Sequence, residues 1–211
     1  MTQAPAKPVV AAFDFDGTLT RHDTLFLFLL HVAGPVKFSF KFMQLFTTLT
    51  GYALGLIRND IAKIKVLRRF LANMEMTTLQ QHALQFAEQK LPALLRPAAI
   101  QRLQWHRQQG HRCVVVSASL ELYLHPWASK AGFNDIIGSK LETQADGTYS
   151  GNLLGENCFG PEKMQRLEAL LGPRDGYTLY AYGDSRGDKE LLSAADFPFY
   201  RSFTKQGIYE K

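Results

Sequence analysis

The stretch Val9-Val10-Ala11-Ala12-Phe13-Asp14-Phe15-Asp16-Gly17-Thr18 decides how this chain is read. Its first five residues form an unbroken apolar run, the pattern of a strand buried on both faces in a parallel sheet. The run stops at two carboxylates, Asp14 and Asp16, separated by one residue. Acids at the carboxyl end of such a strand stand where open α/β sheets bind ligands. Paired carboxylates in apolar surroundings raise one another's pKa and are costly to keep ionised, and a bound divalent cation removes that cost.

The same arrangement recurs twice. Cys113-Val114-Val115-Val116 ends at Ser117-Ala118-Ser119, and the mostly apolar run from Tyr177 to Tyr182 ends at Gly183-Asp184-Ser185-Arg186-Gly187-Asp188. Between them lies Lys163, near the start of a helix predicted to begin around Pro161, because proline is favoured at the first helical position. Plainer roles exist for each: Asp14 and Asp16 as caps, Ser117 as a strand end, Lys163 as an ordinary first-turn lysine with Lys140 and Lys189 as rivals. A cap, however, does not need a second acid two residues on after an apolar strand.

In order, Asp14-Phe15-Asp16-Gly17-Thr18, Ser117, Lys163 and Gly183-Asp184 with Asp188 resemble the four motifs of the haloacid dehalogenase (HAD) superfamily. The long insert after the first motif, and the segment Asp146 to Lys163 with Tyr149-Ser150-Gly151 and Cys158-Phe159-Gly160, are similar to the phosphoserine phosphatase-like branch. The resemblance covers nearly the whole chain. It implies an α/β fold: a Rossmann-like core of parallel sheet flanked by helices (residues 1–22 and 97–211) and an α-helical cap (residues 23–96).

It also implies a Mg²⁺-dependent phosphomonoester hydrolase. Phosphoryl transfer is mostly positioning and charge neutralisation around one nucleophile. By resemblance, Asp14 attacks phosphorus and forms an aspartyl phosphate. Asp16 protonates the leaving oxygen and then takes a proton from the hydrolytic water. The metal ligands implied are the Asp14 side chain, the Asp16 backbone carbonyl and Asp184, with Asp188 holding metal waters or orienting neighbours; such oxygen donors suit a hard cation. Ser117 and Lys163 bind phosphate, Lys163 as a point charge. Thr18 and Ala118 are expected at the substrate, where backbone amides after Phe15 and Ser117 add donors.

Composition agrees. The 211 residues, 46% of them hydrophobic, suffice for one sizeable core and a smaller attached one. Lys and Arg exceed Asp and Glu only by 24 to 19, with no arginine-rich or aromatic-interleaved motif, so nucleic acid is a poor partner. Cys113 and Cys158 have no metal spacing and read as reduced thiols of a cytoplasmic protein. Positions 1 to 8 read as a flexible lead-in without a signal-peptide pattern. Helices are expected near Pro97 to Gln109 and Leu120 to Ala131, and a hairpin turning at Asp146-Gly147.

The insert should decide the substrate, being placed to close over the strand ends. Between residues 25 and 100 it carries nine basic residues against three acidic ones, Asp60, Glu75 and Glu88. Its stretch from Phe38 to Ile57 is rich in aromatics with one charge, Lys41, but Ser39, Gln44, Thr47, Thr48 and Thr50 make it too polar for a membrane span. It reads as a helix buried in the cap or as an interfacial helix touching lipid. For phosphoserine, resemblance assigns Asp23 to the substrate amine and Arg68 or Arg69 to its carboxylate. Two departures weigh against serine: Ser117-Ala118-Ser119 replaces Ser-Gly-Gly, and Gly187 replaces an asparagine. A phosphatidylglycerophosphate-type lipid phosphatase, a phosphotransferase and a non-catalytic phosphate-binding module are the alternatives.

Overall fold

The computed structural model describes residues 7–204 and 207–208, so the first six positions of the expected lead-in lie outside the described residues. Six strands, β1 (Val9–Phe13), β2 (Arg112–Leu120), β3 (Asp135–Thr143), β4 (Tyr149–Leu154), β5 (Thr178–Gly183) and β6 (Phe197–Tyr200), form one sheet in the order β4-β3-β2-β1-β5-β6. All neighbours pair in parallel except β3 and β4, whose antiparallel hairpin turns at Asp146-Gly147 as the sequence predicts. β1 is central, with Phe13 opposite both Val115 and Tyr182.

Side chains alternate across a strand, and here both faces are covered. Ala11, Phe13, Cys113, Val115 and Tyr182 enter the larger core with helices α1 (Thr24–Ala33) and, further on, α5 (Met76–Gln89), α7 (Pro97–Gln108) and α8 (Glu121–Ala131). Val10, Ala12, Val114, Val116, Leu179 and Ala181 pack on the other side against Leu167 of α9 (Pro161–Leu171) and Leu191 of α10 (Lys189–Ala194). This two-sided burial is why the strands contain almost no polar residue until their carboxyl ends.

β2 continues beyond the expected stop at Ser117 to Leu120, and its pairing with β3 shifts register between Val116 and Leu120. Irregular pairing of this kind re-aims side chains, here those of Ser117 to Ser119 at the sheet's carboxyl edge.

The residues between β1 and α7 form a helical insertion: α1, α2 (Pro35–Gln44), α3 (Phe46–Ala53), α4 (Asn59–Leu71), α5 and the single turn α6 (Leu91–Leu94). The breaks at Gly34-Pro35 and around Gly55 fall at the positions expected from sequence. The Phe38 to Ile57 stretch differs from expectation. It is divided at Leu45, which leaves helical backbone geometry, and α2 buries none of its residues fully. Among the described residues no helix is long and apolar enough to cross a membrane.

The insertion is tied to the β3–β4 hairpin. The Asn73 amide donates to the Tyr149 carbonyl at 2.8 Å and the Met76 amide to Gly147 at 3.1 Å. Gly151, at φ +82°, lies so near α4 that a Cβ there would sit 2.6 Å from the Arg68 Cα. Gly151→Ala therefore meets both a left-handed backbone and a backbone clash and should cost roughly 1–3 kcal/mol. Equal urea midpoints for variant and wild type would refute this close approach.

Beneath Phe13, His106 is fully buried between Tyr182, whose hydroxyl lies 2.8 Å from Nε2, and His111, whose Nδ1 lies 2.8 Å from Nδ1. Burial foremost, then the neighbouring His111 and Arg102 cations, pushes the His106 pKa down to about 3. An unfolded histidine titrates near 6.5, so below that pH the unfolded chain binds a proton the folded chain refuses. Stability contributed here is present above pH ~6.5 and falls by about 1.4 kcal/mol per unit as pH drops toward ~3. The stability difference between wild type and His106→Gln should shrink accordingly between pH 7 and 5, measured by urea unfolding; a pH-independent difference would contradict it.

Candidate active site

The carboxyl edge of β1 breaks into a wide helical turn, Phe15–Leu19, whose Asp16 and Gly17 depart from helical backbone angles. This bend separates the two acids. Asp14 faces Lys163 of α9, with Nζ to Oδ1 at 2.6 Å, and the same ammonium meets Asp188 Oδ1 at 2.5 Å. All three side chains are buried. Asp16 turns the other way: its Oδ1 accepts from the Thr24 amide at 2.8 Å and the Thr24 hydroxyl at 2.7 Å, and its Oδ2 accepts from the Ser119 hydroxyl.

Asp188 has little capacity left for another partner. Its Oδ2 accepts from the amides of Asp184 and Ser185, at 3.1 and 3.0 Å, and from the Ser185 hydroxyl at 3.0 Å, which shapes the loop after β5. That loop brings Asp184 against the β1 turn so closely that a Cβ on Gly17 would sit 2.2 Å from Asp184 Oδ2. Glycine is required there for space as well as for its φ of +78°.

Asp14, Asp184 and Asp188 each place an oxygen within 4.8 Å of the others. The donor set is all hard oxygen, which fits Mg²⁺ and not a soft metal. Because Asp188 is engaged with Lys163 and its own loop, the carboxylates best placed to hold a cation are Asp14 and Asp184, beside the Asp16–Gly17 backbone.

Electrostatics follow from depth. Burial pushes Asp14 up to about 7, opposed by Lys163 and reinforced by Asp188 and Asp16. Burial, then the charge of Asp23, pushes Asp16 up to about 6, opposed by its hydrogen bonds from Ser119 and Thr24. Burial also raises Asp184, with Asp188 adding to it. Burial alone would lower Lys163, but Asp14 and Asp188 outweigh it and hold the ammonium charged.

These groups form the floor of a cavity of about 510 Å³. Asp14, Asp16, Asp23, Ser117, Ala118, Lys163 and Asp184 all line it. Ser117 Oγ is buried and accepts from the Ser119 amide at 3.1 Å. Asp23 lines the rim while its Oδ1 caps α1 through the Leu25 amide at 2.9 Å. Thr18 lies beneath the floor, its hydroxyl 3.5 Å from Asp14 Oδ2. Arg68 and Arg69 are exposed and are not among the lining residues; Arg68 donates to Asn152 Oδ1 at 2.8 Å on the outer surface.

The cap cation that does line the cavity is Lys63 of α4, which sequence reasoning passed over. Its ammonium reaches the Ala118 carbonyl, Asn157 Oδ1 at 2.7 Å and Ser139 Oγ at 3.3 Å, and burial pushes its pKa down to about 8. Nothing local distinguishes Lys63 from Lys65. Thr24 and Ser119, which hold Asp16, carry no sequence assignment either, although each lies within or next to a quoted motif. The apolar part of the wall is Leu25, Phe26, Leu49, Ala62 and Val66 from the insertion, beside polar groups of Arg21, His22, Tyr52, Asn59 and Asn157.

The site is thus an acid cluster at the strand ends of an open α/β sheet, roofed by a helical insertion. The chain belongs to the family of haloacid dehalogenase-like hydrolases, whose pattern matches residues 11–193. It is 39% identical to protein CicA of Caulobacter vibrioides (strain NA1000 / CB15N) over 197 residues, 93% of this chain and 87% of that one. A histidinol-phosphatase of Neisseria meningitidis serogroup C (strain 8013) is 35% identical over 102 residues, 46% of either chain. Among solved structures, a protein of unknown function from Bordetella pertussis Tohama I superposes with a TM-score of 0.80 at 24% identity, covering 92% of this chain and 89% of that one. A substrate-bound phosphoserine phosphatase superposes with a TM-score of 0.62 at 16% identity, covering 92% and 86%. Both structures share the fold of this chain.

Proposed function

We propose that the protein hydrolyses small phosphomonoesters through an aspartyl phosphate on Asp14, within a core of residues 1–22 and 97–211 capped by residues 23–96. The observation that carries this reading is the buried Asp14 carboxylate, held by Lys163 at 2.6 Å on the floor of a cavity that also receives Asp16, Ser117 and Asp184.

An Asp14 oxygen attacks phosphorus as the ester P–O bond breaks, and Asp16 gives its proton to the departing alkoxide. Water then attacks the phosphoryl group, Asp16 takes its proton, and phosphate leaves with Asp14 restored. The sum is ester plus water to alcohol plus phosphate. Burial raises both acids, Asp16 to about 6, which favours a proton on a buried carboxyl, while Lys163 and a cation beside Asp14 and Asp184 would favour the ionised nucleophile. Lys163 and Ser117 bind phosphate oxygens. Mg²⁺ held by Asp14 and Asp184 would supply charge neutralisation on the phosphoryl oxygens.

Asp23 at the rim favours a substrate carrying an amine, as phosphoserine does. A substrate carboxylate would meet Lys63 and not Arg68 or Arg69 in this arrangement. A second reading, an amphiphilic phosphate ester, is favoured by the apolar walls from Leu25 to Val66. A panel of amino-acid, sugar, nucleotide and lipid phosphates separates the two: a preference for amine-bearing phosphates eliminates the second, and a preference for acyl-chain phosphates the first. The buried, unpaired Cys113 and Cys158 suit a reducing cytoplasm.

EDTA should reduce phosphate release from para-nitrophenyl phosphate by about 100-fold or more, and added Mg²⁺ should restore it, because the charge it neutralises contributes several kcal/mol to the transition state. Release that persists undiminished in EDTA would exclude the metal.

A further inference from the structure

The insertion exposes apolar surface where a water-soluble cap has no need of it. Of the fifteen large hydrophobic side chains exposed among the described residues, seven lie between residues 36 and 56. Val36, Phe40 and Met43 follow one another at spacings of four and three along α2, so they share one helix face, with exposures of 82%, 59% and 69%. Phe46 at the start of α3 is 69% exposed. The charge beside them is of one sign. Lys37 and Lys41 lie on α2, and Arg69 of α4 and Lys37 stand near enough to Lys41 for their fields to lower it further, after burial; the Lys41 ammonium rests over the Phe70 ring and donates to the Phe70 carbonyl at 3.4 Å. From Thr24 to Asn59 the chain has no Asp or Glu.

We infer that this face of α2 docks on an anionic lipid surface. An apolar stripe flanked by cations and free of acids is the composition of a helix lying in a bilayer interface, with its rings among the acyl boundary and its lysines at anionic headgroups. A second copy of this chain is the poorer occupant, because it would bring Lys37, Lys41 and Arg69 against themselves. On another side of the same helix, the Phe42 ring packs edge-on against Phe26 at 5.9 Å, and Phe26 lines the cavity. Docking therefore brings the site's roof to the membrane without any helix crossing it.

Flotation with phosphatidylcholine vesicles, with and without phosphatidylglycerol, tests this on the full chain. Bound protein should be at least tenfold greater on the anionic vesicles at low salt and should fall as salt is raised. Phe40→Asp with Met43→Asp should abolish binding, and Lys37→Glu should weaken it severalfold. Unchanged melting by circular dichroism and unchanged turnover of para-nitrophenyl phosphate would show that the fold and site are intact. Three results would overturn the inference: no binding of wild type to anionic vesicles, equal binding to neutral ones, or a micromolar dimer that Phe40→Asp dissolves. Flotation reads out without turnover, so the failure of the hydrolase reading would be separately visible.

Discussion

Asp14→Asn is expected to abolish phosphate release, by on the order of 10⁴-fold or more, while the protein stays folded. Loss of a covalent nucleophile removes the route itself and not merely one stabilising contact. The amide is isosteric with the carboxylate, so packing against Phe13 and the β5 edge is unaltered. It also retains an oxygen for the Lys163 ammonium, which keeps Asp188 as its counter-charge at 2.5 Å. The melting temperature should therefore move by only a few degrees. Parallel measurement of para-nitrophenyl phosphate turnover and thermal melting checks both halves. Turnover above one per cent of wild type would remove Asp14 from the nucleophile's role.

Lys163→Met should have the largest effect on stability. In the native protein one ammonium serves two buried carboxylates, Asp14 and Asp188, with side-chain exposures of 7% and 0%. Removing it leaves two acids facing each other without a cation, and breaking a buried pair in this way costs roughly 3–5 kcal/mol. For a chain of this size that corresponds to a drop in melting temperature on the order of 10 °C. Adding Asp188→Asn to Lys163→Met removes one of the stranded charges and should recover part of the loss. Failure of the second substitution to recover any stability would mean that lost packing, and not stranded charge, is responsible. Activity should be lost in both variants, since the phosphate's fixed cation is gone.

The parts of the fold legible in sequence are those where one local pattern has one physical solution. Val9 to Phe13 is apolar at every position because both sheet faces are covered, so the run by itself locates β1 and the acids at its end. Pro161 likewise marks the start of α9 and hence the depth of Lys163. Lys63 is illegible because its role depends on how α4 settles against the β2–β3 edge, where Ala118, Ser139 and Asn157 converge from three separate segments. The outward position of Arg68 is hidden for a related reason: Gly151 admits the α4 backbone so closely that this arginine emerges at Asn152. Phe38 to Ile57 misleads because aromatic content suggests burial, whereas the chain divides at Leu45 and leaves much of that content facing outward.

The central claim is that phosphorus becomes bonded to Asp14. Acyl phosphates are reduced by borohydride whereas free carboxylates are not, so the most direct measurement is to quench turnover with borohydride and locate the modified residue by peptide mass spectrometry. The side chain of residue 14 should be recovered as the alcohol only when substrate and Mg²⁺ are both present, and Asp16 should be untouched. Ongoing phosphate release with residue 14 unmodified would contradict the account.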